Sequence, residues 1–190
     1  MITTRTLKVL TIAALAAIGS LSCSSELTNN AAPVEFIVTH TSTVNILDIS
    51  PNNDPECESD LGTIQLRVLP KNTQTGGNMT NVRVTRYKVS YRRTDGGTVV
   101  PASYVRAIDT LVGVGATAAA TFNLFELGAF SQAPFVSLLP QNGGRDAETL
   151  RPLIRLEVIL EVFGETLAGD NVYDSTTIPL EFCYDCGGCR

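Results

Sequence analysis

From residue 34 onward, apolar and polar positions alternate with a period of two, the pattern of strands that bury one face. In "TIQLRVL" (63–69), Ile64, Leu66 and Val68 point one way and Thr63, Gln65 and Arg67 the other. In "YKVSYRR" (87–93), Tyr87, Val89 and Tyr91 form the inward row, with Lys88, Ser90 and Arg92 outward. "LIRLEVILEVF" (153–163) sets Ile154, Leu156, Val158, Leu160 and Val162 on one face, with Arg155, Glu157 and Glu161 toward water. "ATFNLF" aligns Ala120, Phe122 and Leu124, and "TIPLEF" aligns Ile178, Leu180 and Phe182. Pro179 in the last run predicts an edge strand or a strand start, because proline has no amide to donate to a ladder. "SPNNDPE", "NTQTGGN", "TDGG", "PQNGG" and "AGDN" separate the runs as turns. Residues 104–150 are the least regular stretch, and "FELGAFSQAPFVSLLPQ" within them predicts a helical turn or a loop packed on the body.

About eight such strands with one apolar face each predict an all-β fold, an immunoglobulin-like antiparallel β-sandwich. Composition agrees: 44% of residues are hydrophobic, enough for a core, and long helical patterns are scarce. The stretch "RYKVSYRRTDGG" resembles the third strand of fibronectin type III domains, with its Tyr-x-Val-x-Tyr run, although the chain has no tryptophan.

The first 22 residues have a different character. Arg5 and Lys8 precede an apolar run from Val9 to Ile18, and small residues then lead to Cys23, the layout of a secretory signal. The apolar run is too short to span a bilayer as a helix, which takes about 20 residues. "GSLSC" resembles the lipobox of bacterial lipoproteins, while Ser20-x-Ser22 also fits ordinary small-x-small cleavage. The resemblance implies that Cys23 becomes the first mature residue and carries acyl chains. With Ser24 rather than Asp after it, the resemblance also implies sorting to the outer membrane. The chain then divides into a signal peptide (1–22), a polar tether (23–33) and a sandwich domain (34–190). Removing Arg5 and Lys8 leaves 12 basic against 19 acidic residues, a balance of −7 that argues against a nucleic-acid partner.

Export changes the reading of the five cysteines. An oxidising compartment favours disulfides, and lipidation of Cys23 leaves an even set: Cys57, Cys183, Cys186 and Cys189. Haem attachment fails, because no His follows Cys186 or Cys189. A four-thiolate metal site satisfies the count but has only one C-x-x-C run to set against the lone Cys57. A thioredoxin-like couple needs a helix after the motif, and the chain ends instead. Two disulfides are the simplest reading: Cys57 with one terminal cysteine and the other two with each other, in any of three connectivities.

Other candidates are weaker. The acidic loop "NNDPECESD" offers Asp54, Glu56, Glu58 and Asp60 to a cation, without EF-hand spacing. "GDNVYD" (Asp170, Asn171, Asp174) reads as turn chemistry. His40, the single histidine, has no nucleophile motif to serve. Gly113 and Gly115 do not complete a dinucleotide fingerprint and read as a flexible or tightly packed strand segment. Arg83, Arg86, Lys88, Arg92 and Arg93 form a basic cluster, with Arg86, Lys88 and Arg92 on one strand face, to be balanced by neighbouring acids. The expected protein is therefore a lipid-anchored, non-enzymatic envelope component without a cofactor. Its expected partners are the membrane, through its N-terminal lipid, and an envelope protein. The alternatives are a calcium- or glycan-binding surface domain and a metal or thiol redox protein using the terminal cysteines.

Overall fold

The structure, a computed structural model, describes residues 32–41, 46–50, 63–72 and 77–186. Among the described residues, eight strands form two sheets. β1 (Val34–Thr41), β3 (Thr63–Pro70) and β6 (Thr117–Ala120) make a three-stranded sheet in the order β1-β3-β6. β2 (Ile46–Asp48), β4 (Val82–Arg93), β5 (Tyr104–Val112), β7 (Leu153–Thr166) and β8 (Asn171–Cys183) make a five-stranded sheet in the order β2-β8-β7-β4-β5. All pairings are antiparallel except the short one between β2 and β8. The order β5-β4-β7-β8 matches C′-C-F-G of a variable-type immunoglobulin domain, and β1-β3-β6 matches A-B-E. β4 carries "RYKVSYRR".

The inward rows expected from the alternation meet between the sheets. Ile64, Leu66 and Val68 face Ile154, Leu156, Val158, Leu160, Val162, Ile178, Leu180 and Phe182 in one continuous buried core. β7 keeps a single phase over its whole length. β4 does not: Val82 and Val84 are buried, then Tyr87 and Val89, so the inward parity changes across a bulge between Val84 and Arg86. The bulge inserts Thr85 against β7 and brings Val84 opposite Gly164. A Cβ on Gly164 would lie 2.7 Å from the Arg83 carbonyl oxygen, so glycine is required there by close backbone approach. One further bond ties the sheets together: the Val38 N–H on β1 donates to Asp174 Oδ2 on β8 at 2.7 Å.

Three expectations need correction. Residues 104–112 are a full strand rather than irregular chain. β5 escapes the periodicity because neither of its faces is purely apolar: Val105 and Leu111 are exposed, while Arg106 and Thr110 are half-buried. "ATFNLF" is not a strand, since β6 stops at Ala120; Phe122 and Leu124 are nevertheless buried as the chain leaves the sheet. Pro179 does not mark an edge strand or a strand start, because β8 lies between β7 and β2. β2 pairs only with 181–183, so within the described residues position 179 has a ladder on its β7 side alone. The 125–141 stretch does hold helical turns, at Ala129–Ser131, Phe135–Leu138 and Pro140–Asn142. Its Phe135 ring packs at a tilt of 48° against Phe182 with centroids 4.5 Å apart, and the Tyr91 hydroxyl donates to the Leu124 carbonyl at 2.8 Å.

Gly164→Ala is expected to cost about 1–3 kcal/mol in chemical denaturation, because the added methyl meets backbone that cannot move aside. Gly77→Ala, where a Cβ meets nothing within 4 Å, is expected to stay within about 0.5 kcal/mol of the parent.

Candidate functional site

Two polar clusters stand out, both at the end of the sandwich where β4 and β8 finish and β7 begins. The first is built on Arg93. The inward row Tyr87, Val89, Tyr91 continues to position 93, so the strand delivers a guanidinium into the interior at its last residue. The Arg93 side chain is 1% exposed. Its Nε and Nη2 donate to Asp95 Oδ1 and Oδ2 at 2.7 and 2.8 Å, a bidentate fork. Nη2 also donates to Asp146 Oδ2 at 2.9 Å, and Nη1 to the Val99 carbonyl at 3.3 Å. Glu148 lies 3.8 Å from Nη1.

One cation cannot compensate three carboxylates, and backbone donors supply the rest. Asp95 accepts the N–H groups of Gly97 and Arg155. Asp146 accepts the N–H and hydroxyl of Thr149. Glu148 accepts the N–H groups of Thr98 and Val99 and the Thr98 hydroxyl. Burial works against the charge of Asp95, but the Arg93 fork and the two backbone donors prevail and hold its pKa down at about 2. Asp146 is likewise held below the ordinary carboxylate range, with burial outweighed by Arg93 and Thr149. A Cβ on Gly97 would sit 2.5 Å from the guanidinium carbon, so the second glycine of "TDGG" makes room for the cluster.

The second cluster holds the chain's last described residues. Cys183 and Cys186 form a disulfide with Cα atoms 6.0 Å apart. Asp48, buried at the end of β2, accepts the N–H groups of Asp185 and Cys186 at 2.9 Å each and that of Ser50 at 2.9 Å. Burial opposes the Asp48 charge, and these donors more than offset it, leaving the pKa lowered. The grip holds Asp185 in the left-handed region at φ 50°, which aspartate tolerates better than most residues. The Ile49 N–H donates to the Cys183 carbonyl, so β2 and the cystine turn lock together.

The remaining candidates are dispersed. Cys23, Cys57 and Cys189 lie outside the described residues, as do Asp54, Glu56, Glu58 and Asp60. His40 is half-buried on β1 opposite Ile64. Gly113 and Gly115 are not within a strand but turn the chain from one sheet to the other, with Gly115 at φ +76° and its N–H on the Val68 carbonyl. Asp170 closes the β7–β8 turn onto Thr166. The basic cluster is divided by ion pairing. Arg83 pairs with Asp109 at 2.8 Å, Lys88 with Glu161 at 2.6 Å, and Arg92 with Glu157. Arg86 lies over the Phe163 ring, and Arg93 is buried. Among the described residues, no three His, Cys, Asp or Glu side chains are placed to hold a metal ion, and no helix is long and apolar enough to cross a membrane.

Sequence reasoning missed the roles of Asp48, Asp95, Asp146 and Glu148 and the burial of Arg93. Only Arg93 left a signal, as the next member of an inward row. No family model, no curated protein and no solved structure matches the chain.

The Arg93 cluster carries a pH signature. Asp95 has a folded pKa below its unfolded value of 3.8, so its stabilisation is present above pH 3.8 and is lost as pH falls from there toward 2. The expected loss over that window is roughly 2 kcal/mol from Asp95 alone. Arg93→Met is expected to cost about 3–5 kcal/mol at pH 7, because Asp95 and Asp146 are left buried and uncompensated. At pH 3, as the acids begin to protonate, urea unfolding should show a smaller difference.

Proposed function

We propose that the protein is a lipid-anchored lipoprotein of the cell envelope, sorted to the outer membrane, whose sandwich serves a structural or protein-binding role rather than an enzymatic one. The observation that carries this reading is the apolar leader ending in "GSLSC", with Cys23 as the lipidated residue. The cystine at the other end of the chain supports it, because such bridges persist in oxidising compartments outside the cytoplasm. The chemistry of the two polar clusters supports the non-enzymatic part. The carboxylates and guanidinium of the Arg93 cluster are engaged by backbone and by one another, which suits holding loops in place more than acting on a substrate. The sulfurs of Cys183 and Cys186, once bridged, are not available as thiolate ligands.

With Cys183 and Cys186 bridged, full pairing of the remaining thiols would join Cys57 to Cys189. In the chain-entropy view such a link, closing a loop of more than a hundred residues, is worth roughly 4–5 kcal/mol.

Cys23→Ala should move the protein from the membrane fraction to the soluble fraction with no acyl mass. If it still fractionates with lipid, the anchor reading fails. The mature protein, denatured without reductant, is expected to show no titratable thiol and a Cys57–Cys189 cross-linked peptide on digestion.

A further inference from the structure

We propose that the end of the sandwich where the chain enters β1 is a membrane-seating surface. Its turn-tip side chains Met79 and Leu167, with Leu111 on the neighbouring strand, would rest in the headgroup–acyl boundary of the same bilayer that holds the Cys23 lipid. The inference rests on the anchor proposed above.

The location of this basal end follows from hydrogen bonds. Val34 pairs with Pro70, and the Lys71 N–H donates to the Pro33 carbonyl, so the chain arrives beside the end of β3. The Gly115 N–H donates to the Val68 carbonyl, which brings in the β5–β6 turn. The Val114 N–H in that turn donates to Asn81 Oδ1. The Asn81 carbonyl accepts the Leu167 N–H, and the Met79 carbonyl accepts the Ala168 N–H. The chain's arrival point and the two turns that carry Met79 and Leu167 therefore belong to one end. Met79 is 59% exposed, Leu111 57% and Leu167 44%. In both turns a single large apolar residue projects from otherwise small or polar neighbours, "GNMTN" and "TLAGD". Met79 has no charged neighbour in its turn, and the acid near Leu167, Asp170, is bonded back onto Thr166, so each tip can enter an interface with its apolar residue leading.

Reach decides which end meets the bilayer. Ten residues, Ser24 to Pro33, separate Cys23 from β1 and span at most about 36 Å however they are arranged. β4, with 12 residues, is roughly 40 Å long. Val99, Val100 and Leu150 are also exposed, but they belong to the loops at the opposite end. Their loops could be turned onto the bilayer only by a tether stretched to nearly its full length along the body, whereas the basal end needs almost none of that length. Tethering also makes the contact effectively intramolecular, so a small apolar surface suffices. Because the contact is apolar, it should be insensitive to salt.

The test is methyl NMR on the full-length acylated protein in nanodiscs whose lipids carry a gadolinium chelate at the headgroup. The expected result is several-fold stronger broadening of the Met79, Leu111 and Leu167 methyls than of Val99 and Leu150, unchanged between low and high salt. Met79→Ser with Leu167→Ser should leave the acyl mass and the β7 amide spectrum intact while reducing the contrast between the two ends. Equal broadening at both ends of an acylated protein, or stronger broadening at Val99 and Leu150, overturns the seating and leaves the anchor standing. A chain without acyl mass and without broadening anywhere overturns the anchor reading and the seating with it.

Discussion

The loop end of this sandwich depends on a single guanidinium placed where the fold would otherwise have an apolar side chain. Arg93 ends β4 opposite Leu156, facing into the core, and a buried cation in that position must be surrounded by acceptors or the strand end cannot stay closed. Asp95 reaches it from the same turn, and Asp146 from the loop that precedes β7. Each carboxylate then recruits amides from further along, including those of Gly97, Thr149 and Arg155. Two loops with little apolar content are thereby held against the core by charge-assisted bonds. A buried ion cluster gives little net stability compared with a well-packed apolar substitute; what it supplies here is a defined position for loops that hydrophobic burial would not order. Leu150 illustrates the result: it is held at φ 58° with its N–H on the Asp146 carbonyl, a conformation costing of order 1–3 kcal/mol that surrounding bonds must offset.

The same economy recurs elsewhere in the fold. Where a short segment has too few apolar contacts to hold itself, a carboxylate or amide gathers backbone groups in their place. Asp48 does so for the cystine turn, Asp174 for the free side of β1, and Asn81 for the three basal segments. The core between the sheets is conventional and apolar, while the ends are ordered by polar bonds with little side-chain freedom. Such ends can present loop tips in fixed positions.

Much of the fold was legible in the sequence because β3, β7 and the later part of β4 each keep a single inward row. The bulge at Thr85 was not, although its trace is visible afterwards: Val82 and Val84 have one parity and Tyr87 and Val89 the other. β5 was illegible because a two-residue period shows only when the two faces differ in polarity, and an edge strand with Val105 outside and Arg106 inside has no such contrast. The polar clusters were harder still. Asp48, Asp95 and Asp146 act on amides brought to them by tertiary structure, and nothing local distinguishes them from acids in solvated turns. Of the cysteines, spacing identified a compact group, but the choice of Cys183 with Cys186 follows from the turn that Asp48 holds after β8.

The central claim, that Arg93 and its carboxylates order the loop end as firmly as the sheets order the core, is tested most directly by native-state hydrogen exchange of the Gly97, Thr149 and Arg155 amides, whose acceptors are carboxylate oxygens of the cluster. The account predicts that these three amides exchange as slowly as the central amides of β4 and β7, and that they open together. Exchange at the rate of exposed loop amides, while β4 and β7 remain protected, would contradict it.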